Sequence, residues 1–135
     1  MEAFTSAAYN QYLGERELMG TRCRVDGRVY LPPRAICREG HDEIEWIELA
    51  GQGTLAAFTV VYVALSAMIA EGFNRQNPYC VGIVRLAEGP AISAQILGVD
   101  IKHPEQIQIG MPLKAIYVER GEAAARRTFL AFEPV

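Results

Sequence analysis

The chain has 135 residues, half of them hydrophobic, which is enough for one ordinary core and too short for two full-sized domains. Thirteen Lys and Arg against 16 Asp and Glu leave a formal charge of −3, the wrong balance for neutralising the phosphates of a nucleic acid. The most apolar segment, Leu55 to Ala70, is interrupted by Thr59, Tyr62 and Ser66 and falls short of the roughly 20 residues that span a bilayer, so no membrane role is expected.

From Ala3 to Leu18, Phe4, Ala7, Ala8, Tyr12 and Leu13 fall on one face at helical spacing, with Thr5 or Ser6 available as a cap. The spacing predicts an N-terminal helix. Its aromatics Phe4, Tyr9 and Tyr12 are too much apolar surface to leave in water, so they pack on the chain's own barrel or on a partner. Between Gly20 and Glu43, two cysteines, glycines at 20, 27 and 40, and Pro32-Pro33 punctuate short extended runs, the pattern of a small knuckle-like module. Pro33 restricts Pro32, so Arg34 leaves that turn in a defined direction.

From Glu45 onward the chain reads as successive strands: Glu45 to Leu49, Gly53 to Ala64, Tyr79 to Leu86, Ala91 to Val99 and Pro112 to Glu119, with Arg127 to Phe132 as a sixth or a docking tail. Such a series predicts a small closed or partly closed barrel. Glu88-Gly89-Pro90 is read as a hairpin turn, and Gly51-Gln52-Gly53 as the place for a bulge. The connection Ser66 to Pro78 carries Met68, Ile69 and Phe73 beside Asn74, Arg75, Gln76 and Asn77. It is read either as a binding loop or as a short helix capping the barrel end.

Cys23, Cys37 and Cys80 are odd in number and irregularly spaced, and MEAFTSAAYNQY lacks the basic run and apolar stretch of a signal peptide, so a reducing cytoplasm is expected. Cys80, in a strand pattern, is read as a small buried side chain. Catalysis needs a nucleophile beside a base, or convergent carboxylates. His41 falls in the knuckle segment and His103 in the loop IKHPE three residues after Asp100, with no serine or cysteine placed beside that last pair by any motif. No phosphate-binding glycine pattern is present in the sequence.

An ordered series of short pieces resembles a known family. These are Cys23 followed by Gly27, Pro32-Pro33-Arg34 with Cys37 after it, Glu45-Trp46, Gly51-Gln52-Gly53-Thr54, Phe58-Thr59-Val60, Asn77-Pro78-Tyr79, Leu86 to Gly89, and Ile109-Gly110-Met111-Pro112. The family consists of bacterial and archaeal proteins with an N-terminal helix, a rubredoxin-like zinc ribbon and a C-terminal OB-fold, associated with acyl-CoA enzymes and once described as nucleic-acid-binding. The resemblance implies a mainly β protein: a helix over 1–19, a degenerate zinc-ribbon segment over 20–44 and a five- or six-stranded OB-fold barrel over 45–135. It further implies a non-catalytic accessory subunit that joins a thiolase-like catalytic subunit and helps shape the site for a CoA thioester.

A structural zinc wants four ligands, usually from two Cys-x-x-Cys knuckles. Here the knuckles are Cys23-Arg-Val-Asp26 and Cys37-Arg-Glu-Gly40, each lacking its second cysteine. The reading favoured is a ribbon that has given up its metal and persists as a packed turn. The alternative is a zinc held by Cys23 and Cys37 with Asp26 or His41. For a CoA ligand, Arg34, Phe73, Asn74, Arg75 and Tyr79 supply cations, a polar amide and aromatic faces suited to phosphates and adenine. Two other functions compete: a stand-alone acyl-CoA-binding protein using those residues, and a single-stranded nucleic-acid module stacking bases on Tyr30, Phe58, Tyr62 and Tyr79. The second is disfavoured because Gly53 to Ala64 contains no cation, while Arg75 and Arg85 are isolated.

Overall fold

The computed structural model describes residues 3–122, 124 and 126–135. In chain order it forms α1 (Ser6–Gly14), β1 (Met19–Cys23), β2 (Val29–Tyr30), β3 (Ile44–Glu48), β4 (Gln52–Val61), α2 (Ser66–Ala70), β5 (Tyr79–Leu86) and β6 (Ala91–Ile96). A 3-10 turn over Pro104–Gln106 then leads to β7 (Pro112–Arg120) and β8 (Arg127–Pro134).

Strands β1 to β3 make a small antiparallel sheet in the order β2-β1-β3, and the remaining five close into a barrel in the order β4-β5-β6-β8-β7. Every barrel pair is antiparallel except β6 with β8, which run parallel through Gln95↔Ala131 and Ile96↔Phe132. Pairing of β4 with β7 completes the closure. A five-stranded barrel of this order is the OB-fold.

Alternation explains the barrel residue by residue. Along β5, Cys80, Gly82, Val84 and Leu86 turn inward and are buried, while Ile83 and Arg85 face out. They meet Leu55, Ile96, Leu113 and Phe132 from the other strands in one core. Cys80 is fully buried, as its strand position implies, and burial pushes its thiol pKa up. The turn at Glu88-Gly89-Pro90 closes through Leu86 N to Pro90 O at 2.9 Å, with Gly89 at φ 118°.

The structure differs from the sequence reading in three places. The segment at Glu45 does not enter the barrel: β3 pairs with β1 through Trp46↔Thr21 and its neighbours, so the fifth barrel strand is β8, the segment read as a sixth strand or tail. Alternation of apolar residues marks a strand and carries no label for its partner. The irregularity in β4 falls between Leu55 and Ala57. Gly51 instead makes a left-handed turn at φ 73° that brings its carbonyl to Ala115 N at 2.7 Å. The strand read as ending at Ala64 stops at Val61, and the chain leaves the sheet before α2.

The N-terminal helix is shorter than its apolar pattern, and Thr5 caps it by accepting from Ala8 N at 3.2 Å. Its aromatics divide between both sheets. Phe4 and Tyr12 stand 5.6 and 5.2 Å from the Trp46 ring on β3, while Tyr9 packs against the barrel core. The helix therefore clamps the small sheet to the barrel. Arg16, at φ 62°, adds a hydrogen bond from Nη1 to Tyr117 O at 3.4 Å.

Candidate functional site

Two tight turns at the tip of the small sheet bring four metal-ligating side chains together. The first follows β1: Gly27 N bonds Cys23 O at 2.8 Å with Gly27 at φ 76°, a conformation that favours glycine. The second closes through Gly40 N to Cys37 O at 2.9 Å, with Gly40 at φ 87°. In the first turn the second donor, Asp26, stands three residues after its cysteine. In the second turn that position is the glycine, and His41, one residue further on, folds back so that its backbone N lies 3.4 Å from Cys37 Sγ.

The donor atoms of Cys23, Asp26, Cys37 and His41 all lie within 4.8 Å of one another. His41 Nδ1 stands 3.1 Å from Cys37 Sγ and 3.7 Å from Cys23 Sγ. Asp26 Oδ2 is 3.6 Å from Cys37 Sγ and 3.8 Å from His41 Nδ1. The sequence reading named Asp26 and His41 as candidate donors beside the two cysteines; the turns deliver both. Both cysteines are buried, beside Ile44, Phe4 and Tyr30, whereas Asp26 reaches the surface. Burial raises the Cys23 thiol pKa. The Arg28 amide, donating to Asp26 Oδ1 at 2.9 Å, holds the Asp26 carboxyl below its usual range. Two sulfurs, an imidazole nitrogen and a carboxylate oxygen form a donor set that suits zinc, with all four positions filled by the protein in the manner of a structural site.

The residues expected to meet CoA fall in two places. Phe73, Asn74, Arg75 and Tyr79 share the β4–β5 connection. There Phe73 and Tyr79 pack edge to face, with ring centres 5.2 Å apart. The Asn74 side chain builds the loop, its Oδ1 accepting from Gln76 N and Asn77 N at 2.9 and 3.0 Å. Arg75 is exposed and makes no ion pair among the described residues. Arg34 stands apart, in the connection between β2 and β3. Its amide donates to the buried Thr21 Oγ1 at 3.0 Å, and its guanidinium lies 5.1 Å above the Tyr30 ring. Of the other aromatics weighed above, Tyr79 is buried, Phe58 is partly buried against the core and Tyr62 is exposed.

The connection also contains the short helix α2, whose Met68 is buried and lies against Arg120 of β7. Around it Tyr62, Val63, Leu65, Ile69 and Phe129 remain exposed. The sequence reading named Ile69 here but left out Tyr62 and Val63, which it counted as part of a strand. The signal was the run of apolar residues continuing past the point where barrel length ends a strand.

Residues 46–118 match the family model described as the ChsH2 C-terminal OB-fold domain. A DUF35 domain-containing scaffold protein of Methanocaldococcus jannaschii is 40% identical over 102 residues, covering 74% of this chain and 67% of the relative. The chain belongs to the DUF35 family of OB-fold proteins. A second DUF35 scaffold protein, from Pyrococcus furiosus, is 30% identical over 112 residues, covering 82% and 76% of the two chains. Among solved structures, a chain of the Ltp2-ChsH2(DUF35) aldolase superposes with a TM-score of 0.76 at 27% identity, over 96% of this DUF35 chain and 93% of that one.

Proposed function

We propose that this DUF35 chain is a non-catalytic scaffold subunit that joins a thiolase-superfamily enzyme acting on CoA thioesters. The observation that carries the reading is the likeness to a chain of an aldolase complex across 96% of the sequence, which takes in helix, small sheet and barrel alike. The exposed apolar residues around α2 are consistent with a surface that a partner covers. In this reading Phe73 and Arg75 meet the CoA portion beside the partner's catalytic site, with the buried Tyr79 backing the Phe73 ring. Asn74 holds that loop in shape, and Arg34 presents a second cation from the connection between β2 and β3.

The same reading gives the knuckle tip a structural zinc held by Cys23, Asp26, Cys37 and His41. The convergence of four donors supports this over the packed-turn alternative. Zinc bound there supplies a cross-link between the two turns and no reacting position, as structural sites do.

The test is affinity capture of the tagged chain from its own cytoplasm, with mass spectrometry of what co-purifies and metal analysis of the same sample. A thiolase-superfamily protein at near-equal amount and about one zinc per chain are the expected results. Recovery of the chain alone, or with nucleic acid, overturns the scaffold reading. A metal-free sample overturns the zinc assignment alone.

A further inference from the structure

Strand β8 pairs with β7 along its whole length, from Arg127 to Pro134, but with β6 only through Ala131 and Phe132. On the side away from β7, residues 127–129 therefore have no neighbouring strand. An open strand edge presents backbone N–H and C=O groups that another chain can pair with.

A cleft of about 580 Å³ lies along this edge, within the range of ligand sites. One wall is formed by residues 126–129. Successive strand side chains point to opposite faces, so a cleft that touches these residues in unbroken succession follows the edge of the strand rather than one face. The other wall is Ala7, Asn10, Gln11 and Gly14 of α1, whose spacing is that of one helical stripe.

None of the described residues lining the cleft is acidic. Arg126 is engaged by Glu119, at 2.9 and 3.2 Å. Arg127 forms no ion pair among the described residues and stands directly opposite Arg120 in register, a like-charge pair that an added carboxylate relieves. Asn10 and Gln11 are exposed, and each amide offers both donors and an acceptor, the complement of the second edge of an extended peptide. A second copy of the chain pairing here would bring two sets of arginines together, so the charge selects an acidic segment over self-association.

We propose that this cleft docks an extended acidic segment of a partner protein, which adds a strand to the open edge of β8 and sets a carboxylate against Arg127. Backbone pairing supplies affinity that is indifferent to sequence, and the arginine supplies the preference for acid. The site uses none of the residues assigned above to CoA or zinc and does not depend on the scaffold reading.

The experiment is fluorescence anisotropy of a labelled short peptide of alternating glutamate and valine, titrated with the full chain, with R127Q and with A7W. Three probes serve as controls: a lysine-valine peptide, the acidic peptide N-methylated at every residue, and inorganic phosphate as competitor. Saturable binding of the acidic peptide is expected, weakened about tenfold or more in R127Q and lost on N-methylation, which keeps the charges and removes the backbone donors. Ala7 is exposed, so A7W fills the cleft without altering charge and should weaken binding as well. Arg127 is exposed and unpaired, so R127Q keeps the melting temperature of the wild type. Absence of saturable binding, equal affinity in wild type and R127Q, or undiminished binding by A7W overturns the proposal. So does equal binding of the N-methylated or the lysine-valine peptide, and displacement by an equimolar amount of phosphate would show that an isolated anion suffices and overturn it too.

Discussion

At the scale of single residues, one tight constraint is a missing side chain. Gly82 lies inside the barrel on β5, and a Cβ there would stand 2.8 Å from Leu55 Cδ1, 2.9 Å from Ile96 Cγ1 and 3.0 Å from Ala57 O. The backbone oxygen cannot swing aside as a side-chain tip can. Gly82→Ala is therefore expected to destabilise by about 1–3 kcal/mol, measured as a lower midpoint in urea with an unchanged slope. A midpoint equal to wild type would show that the barrel wall yields. The knuckle donors are also a residue-scale matter. Cys23, Asp26, Cys37 and His41 were all named by their chemistry, but the sequence favoured a ribbon without metal because the second cysteine of each knuckle is replaced. The left-handed Gly40 sets the second turn, and a one-residue offset in spacing becomes equivalence in space.

At the scale of elements, α1 is too short to be stable alone and owes its place to what it touches. Leu13 is buried, Tyr9 packs on the barrel, and Phe4 and Tyr12 bracket Trp46. The Thr5 hydroxyl caps its start. Thr5→Ala should cost about 1 kcal/mol, read by urea unfolding followed through Trp46, the sole tryptophan. A loss confined to α1 would leave the barrel transition unmoved. The helix was legible as a helix from its spacing, and its two-sided role was not, because the aromatics that reach the small sheet and the barrel are interleaved within a few residues. Strand β3 makes the same point from the other side. Its residues read as a strand, yet only the pairing with β1 says which sheet receives it.

At the scale of the whole molecule, the clamp between sheet and barrel is sensitive to alkali. Burial pushes the Tyr9 phenol from 10.0 up to about 12, with the neighbouring Tyr117 adding to the shift. Tyr117 is itself raised, first by burial and then by the charge of Glu48. The folded state thus favours the protonated phenol. Stability from Tyr9 is whole below pH 10.0 and is lost as pH rises from there toward about 12. The melting temperature should fall over that window, and Tyr9→Phe should flatten the fall relative to wild type. An identical slope in the variant would place the alkaline sensitivity elsewhere, Cys80 being another group that burial raises.

What the sequence determined by itself was the kind of molecule. Alternating apolar runs bounded by glycine and proline dictated strands, helical spacing dictated α1, and two cysteines followed by left-handed glycines dictated knuckle turns, because each of these is a local consequence of side-chain period and backbone freedom. The series of short motifs carried the family. Tertiary structure decided what depends on contacts between distant segments: that β8 closes the barrel beside β6 and β7 while β3 stays outside, and that Asp26 and His41 meet the same two sulfurs. Registers between strands are set by packing across the fold, and no single segment contains that information.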